Sequence, residues 1–188
     1  MKTSSYSALL TVQIVLTVAG TLLAGWNFAN TIGQGPTFLS FLFALTYLAS
    51  YIVLIAYAGW AYKQRDDFPI KVTVYVYAAL LGIQILQSGQ FINSIGLSEG
   101  LSLFINIANI IAFANVIKLS DVLDDRKKAS AYLLIAVALK LAAELALIVV
   151  FIDRVQVMQV LMSLSVPLLG ATLYVAYLSR CERRRSQA

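Results

Sequence analysis

Apolar and polar positions alternate on a coarse scale along this chain. Long hydrophobic runs are separated by short polar connections. Six runs stand out, at residues 7–26, 37–62, 70–92, 98–118, 129–152 and 155–179. Each reaches the length of about 20 mostly apolar residues that a helix needs to cross a bilayer. The breaks carry turn chemistry. The first is "NFANTIGQGPT", rich in Gly and Asn and containing Pro36. In "KQRDDFP", Asp66 or Asp67 can cap the following helix and Pro69 suits its first turn. "NSIGLSEG" separates the third and fourth runs, and Asp153-Arg154 joins the fifth and sixth in a tight hairpin. The pattern predicts an all-α integral membrane bundle of six transmembrane helices. It forms a single domain over residues 1–180, followed by a basic tail at 181–188.

Within each run the exceptions to apolarity recur at helical spacing. One face of the first helix carries Gln13, Thr17, Gly20, Ala24 and Asn27. The second has Ser40, Tyr47, Tyr51 and Ala58, and the third Thr73, Tyr77, Gln84 and Gln87. The fourth has Ser102, Asn106 and Asn109, and the fifth Ala136, Lys140, Ala143 and Glu144. The sixth has Gln159, Ser163, Pro167, Gly170 and Tyr174. The opposite faces are Leu, Ile, Val and Phe. Lipid gives polar groups nothing to bond, so these stripes should point inward. Small residues and cross-helix amide bonds account for much of such a stripe as packing alone. The large amides, however, cluster towards the outer half of the spans when depth is read from helix direction.

Composition agrees with this pattern. Of 188 residues, 60% are hydrophobic and 12% charged, where a soluble domain has about a quarter charged. The mean hydropathy is +0.82. The charges also indicate direction. Lys2, Lys63, Arg65, Lys71, Lys118, Arg126, Lys127, Lys128, Arg180, Arg183, Arg184 and Arg185 fall on one side of a six-span arrangement. The other side has Arg154 alone. Basic residues in short loops stay cytoplasmic, so both termini are expected in the cytoplasm, with no nucleic-acid partner. The first span is expected to be a retained anchor rather than a cleaved signal. Trp26, Trp60, Tyr62, Tyr174 and Tyr177 fit an interfacial belt.

Several chemistries drop out. The chain has no histidine, which removes His-ligated haem or zinc and Ser-His or Cys-His catalysis. Its one cysteine, Cys181, cannot form an internal disulfide but lies where a membrane-proximal thiol can be palmitoylated. "KQRDD" and "DDRKK" place Asp pairs in two loops, where a solvated cap is the ordinary role and a Mg²⁺ contact the rarer one. No nucleotide-binding, hydrolase or metalloprotease motif occurs, so no enzyme activity, cofactor or metal is expected.

The strongest chemical signal is "YLLIAVALKLAAELALIVVF", where Lys140 and Glu144 interrupt the fifth run near mid-bilayer. Each charge at that depth costs about 2.5–3.5 kcal/mol on insertion scales. One helical turn apart, the two can pair. Pro167 falls near the centre of the sixth span, where it would kink the helix and free the carbonyl of Ser163 as a second acceptor for Lys140. The residues therefore predict an outward-facing pocket for a small polar or amphipathic molecule, serving uptake or sensing. Lys140 and Glu144 form its floor, and Gln84, Gln87, Asn106, Asn109, Tyr47 and Ser163 are its other polar groups. In the alternatives, the bundle is a non-catalytic accessory subunit of a larger membrane complex, or its stripes line the shared pore of a homo-oligomeric channel.

"YIVLIAYAGWAYKQRDDFPIKV", residues 51–72, resembles the helix end, charged turn and Phe-Pro start of the bacterial membrane family called domain of unknown function 2569. "ANIIAFANVIKLSDV" is more loosely similar to its second segment. This resemblance implies a bacterial inner-membrane protein and no particular activity. The architecture is similar to the substrate-binding S-components of vitamin importers. These have six helices, internal termini and an outward pocket, and they dock a partner through small residues such as Val18-Ala19-Gly20 and Ala24 here.

Overall fold

The structure, a computed structural model, describes residues 4–64, 67–95, 98–151 and 164–186. These form six helices: α1 (Ser4–Gly33), α2 (Phe38–Lys63), α3 (Ile70–Ile95), α4 (Glu99–Asp121), α5 (Arg126–Phe151) and α6 (Ser165–Ser186). No strand occurs among the described residues. Five stretches, within α1 to α5, are long and apolar enough to cross a membrane. The expected hairpin at Asp153-Arg154, together with Gln159 and Ser163, lies outside the described residues.

Neighbours in sequence pack as neighbours in space, and α6 closes the ring by packing on both α5 and α1. It also touches α3, and no residue from 164 to 179 is exposed. Leu169, Leu173, Ala176 and Tyr177 of α6 join Leu54, Leu81, Val116 and Leu133 in the main core. The Tyr177 hydroxyl donates to the carbonyl of Leu123 at 2.9 Å, fastening the end of α6 to the α4–α5 connection.

The helix ends follow local chemistry. The first helix runs seven residues past the expected end at residue 26, because its Asn and Thr side chains do not break it. Thr31 instead donates its hydroxyl to the Asn27 carbonyl at 2.8 Å, and the chain turns only at Gly35, whose φ of 66° is the left-handed conformation glycine allows. Thr37 caps α2 by accepting from the Ser40 amide at 3.3 Å. Asp125 caps α5, accepting from the amides of Lys127 and Lys128 at 3.1 and 3.2 Å. These bonds, with the Lys128 ammonium at 3.3 Å, hold its carboxyl below the ordinary aspartate value. Its stabilising effect is therefore present above that ordinary value and is lost as pH falls through the lowered one.

The exterior is apolar and the interior mixed, which is the inverse of a soluble bundle. Leu22, Phe38, Leu86 and Val149 are at least 70% exposed. Gln13, Thr17, Thr73, Asn109, Lys140, Glu144 and Thr172 are buried. The stripes read from helical spacing thus face inward, with Gln13, Thr17, Gly20 and Ala24 of α1 all buried.

Two glycines permit close approaches. A Cβ on Gly20 would lie 2.1 Å from Tyr51 Cε1, and one on Gly170 would lie 2.6 Å from the Tyr77 hydroxyl and 2.8 Å from Val137 Cγ2. Each glycine therefore seats an aromatic ring of a neighbouring helix. Gly25, on the same helix as Gly20, has open space where its Cβ would be. Gly20→Val is expected to destabilise the bundle by about 1–3 kcal/mol through overpacking. Gly25→Ala should be tolerated. Thermal unfolding of the detergent-solubilised variants checks the contrast.

Candidate functional site

The α4–α5 seam is lined by small residues. Ala108 and Ala112 of α4 and Ala136 and Ala143 of α5 are all at most 2% exposed. Small side chains let two backbones approach closely. Across this seam the middle of α4 meets the middle of α5, and there the charges sit. The Lys140 ammonium contacts Glu144 Oε1 at 2.5 Å and donates to Asn109 Oδ1 at 3.1 Å. All three residues are 3% exposed. An apolar cluster of Ile105, Ala108, Ala143 and Leu147, with Leu101, Leu139 and Ile148 against it, packs on the same seam.

This geometry answers how the seam holds two charges. The carboxylate cancels the ammonium's charge at contact distance, and the Asn109 amide oxygen takes a second of its three protons. A buried ion pair is sustained only when further hydrogen bonds complete it. Asn109, expected as a pocket wall, is thus a direct ligand of Lys140. Ser163, whose carbonyl was expected in that role, lies outside the described residues. Pro167 is the third residue of α6 as described, where Leu168 donates to the Leu164 carbonyl at 3.0 Å. The residues before Leu164, on which the expected kink depends, lie outside the described residues.

A second polar feature lies between α2, α3 and α6. A cavity of about 30 Å³ is lined by Tyr47, Ser50, Tyr51, Leu54, Leu80, Gln84, Gln87, Ser165 and Val166. Three of the sequence-predicted residues, Tyr47, Gln84 and Gln87, meet here. Gln87 Nε2 reaches Thr46 Oγ1 of α2 at 3.4 Å. Gln84 Oε1 is buried with no donor among the described residues. The rings of Tyr47 and Tyr51 pack edge to face at 5.2 Å between centroids. Asn106 is half-buried on α4 and is not among the cavity's lining residues.

The sequence-predicted residues therefore fall into two features, an ion triad on α4–α5 and a small cavity on α2–α3–α6. Tyr51, Ser50 and Ser165 were not singled out as site residues. Tyr51 carried a signal, one turn after Tyr47 on the same stripe. Elsewhere in the interior, Gln13 is wholly buried with both amide atoms unpartnered among the described residues, and the Tyr77 hydroxyl is likewise unpartnered. Cys181 is half-buried against the core beside Tyr177, so packing competes with any modification of its sulfur. Asp125 commits its carboxylate to the α5 cap, and no cluster of three or more metal-ligating side chains occurs among the described residues. In comparisons with protein families, curated proteins and solved structures, nothing matches this chain.

Removing one member of the pair takes the opposite charge away from the other. Lys140→Met and Glu144→Leu are each expected to cost about 3–5 kcal/mol, and the double variant should recover most of that loss. A double-mutant cycle in detergent unfolding measures it. Additive losses would mean that the two charges are not coupled.

Proposed function

We propose that this protein spans a bacterial inner membrane six times, with both termini in the cytoplasm, and binds a small polar molecule in its outer half for uptake or sensing. The observation that carries the reading is the enclosed Lys140–Glu144–Asn109 triad. Packing alone is served by small residues and amides, as elsewhere in this interior. Two formal charges at that depth add an insertion cost of several kcal/mol, on insertion scales of about 2.5–3.5 each. Intramembrane ionisable groups held inside a bundle are the ordinary mark of a ligand, ion or proton pathway.

The basic residues support the orientation. Lys63, Lys71, Lys118, Arg126, Lys127, Lys128 and Arg183–Arg185 are exposed at helix ends. The Tyr177 hydroxyl donates to the Leu123 carbonyl, which brings the basic end of α6 to the basic α4–α5 connection. The cytoplasmic side is where such residues are retained. A second reading, an accessory subunit of a larger complex, is favoured by the size of the cavity. About 30 Å³ accommodates little beyond a water molecule. A larger ligand would therefore require the helices around Tyr47 and Gln84 to part.

Native mass spectrometry of gently extracted protein separates the two readings. The binding reading predicts a protomer carrying a small-molecule adduct that Lys140→Met or Glu144→Gln alters. An adduct-free chain held in a stoichiometric complex would favour the subunit. For topology, a fluorescent reporter that matures only in the cytoplasm is expected to light up when fused after Ala188. A dark fusion that becomes active with an exterior-only reporter would reverse the orientation.

A further inference from the structure

The cavity between α2, α3 and α6 sits where packing is loosest. Among helices adjacent in sequence, α2 and α3 touch least. Tyr57 and Thr73 bond directly across them, whereas Gln87 Nε2 reaches Thr46 Oγ1 only at 3.4 Å, long for such a bond. At the cavity, two buried oxygens have no partner in hydrogen-bond geometry among the described residues. One is Gln84 Oε1 on α3, the other Ser165 Oγ on α6. Ser165 is wholly enclosed, so bulk solvent does not reach it. A buried oxygen left unbonded loses its hydration with nothing in return, and such atoms nearly always bond to protein or to an ordered water.

Size and chemistry both select the occupant. The cavity's volume of about 30 Å³ exceeds the roughly 10–15 Å³ that one water needs, and leaves room for little more. A water is held where it finds two to four polar partners. Gln84 Oε1 can only accept, whereas Ser165 Oγ and the phenols of Tyr47 and Tyr51 can donate or accept. A guest that suits this lining must donate at one point and can do either at the others. Water does both, and it fits.

We propose that the cavity is a hydration site. One ordered water donates to Gln84 Oε1 and bonds Ser165 Oγ, joining α3 to α6 against the face of α2. Such a bridge is nearly as good as a direct hydrogen bond, and it takes the place of the contact that α2 and α3 lack here. The assignment does not rest on the reading of the interior as a ligand site. A guest entering between Tyr47 and Gln84 would displace this water.

The test is X-ray radiolytic labelling of the full-length protein in lipid nanodiscs, read by mass spectrometry. A water held inside yields hydroxyl radicals in place, so side chains around it are oxidised while equally buried ones elsewhere are spared. Two tyrosines of α2 form a matched pair. Tyr51 and Tyr57 are both 6% exposed, but Tyr51 lines the cavity and Tyr57 is bonded to Thr73. Tyr51 is expected to label several-fold faster than Tyr57. Gln84→Met, close in volume, should lower the Tyr51 rate several-fold and leave that of Tyr57 unchanged. Should Gln84→Met fail to fold, Ser165→Ala takes its place with the same expectation. Equal labelling of the two tyrosines in the wild-type protein, or a Tyr51 rate that the folded variant does not lower, would overturn the hydration site. Neither result bears on an adduct seen by native mass spectrometry, so the ligand reading stands or falls separately.

Discussion

The Lys140 ammonium, held by Glu144 and Asn109 in the middle of two adjacent helices, sets the terms for the rest of the bundle. Neither charge can be turned outward without facing a surface as apolar as Ile110, Leu134 and Leu141. The rotation of α5 is therefore fixed by two residues one turn apart, and the rotation of α4 by the amide that meets them. The alanines of the seam, Ala108, Ala112, Ala136 and Ala143, follow from the same demand, since a lysine and an asparagine bond at 3.1 Å only where two backbones come close. The pair thus acts as a register pin, whatever else it does. Specification of register is the best-attested role of buried polar groups.

The remaining helices apply the same rule more weakly. With apolar side chains on the outside, burial does not distinguish one rotation from another, so inward polar and small residues must. Gly20 receives the ring of Tyr51 and Gly170 the phenol of Tyr77, which locks α1 to α2 and α6 to α3. The Tyr57 hydroxyl and Thr73 Oγ1 bond across α2 and α3, with Thr73 also donating to the Pro69 carbonyl at 2.8 Å. The last helix, α6, packs against α1, α3 and α5. The cavity lies at the described beginning of that element, where Ser165 and Val166 meet α2 and α3.

Much of this was legible in the sequence because helical spacing is a strong signal in long apolar runs. The inward stripes of α1, α3 and α5 could be read directly, since Gln13, Thr73 and Lys140 each stand out against Leu and Val. Ends were less legible. "NFANTIGQG" reads as a turn by composition, yet α1 continues to Gly33 because Thr31 satisfies itself on the preceding turn of its own helix. Pro167 reads as a kink when the run from 155 to 179 is counted as one helix, whereas the described helix begins at Ser165. The site divided for a similar reason. Spacing shows which residues share a face but not which helices adjoin, so Asn109 and Gln84 were placed on one wall when they serve different features. Tyr51 was passed over because an aromatic ring on a small-residue stripe looks like packing until Gly20 is found beneath it.

The ion pair turns on Glu144, so the account of this interior depends on the state of that carboxylate. The most direct measurement is an infrared difference spectrum between the wild-type protein and Glu144→Gln in lipid near neutral pH. An ionised, lysine-paired glutamate predicts the loss of carboxylate stretching bands in the variant, with Lys140→Met shifting those bands in the parent. Loss of a protonated-acid carbonyl band instead would show that Glu144 is neutral. The register pin would then lose its basis.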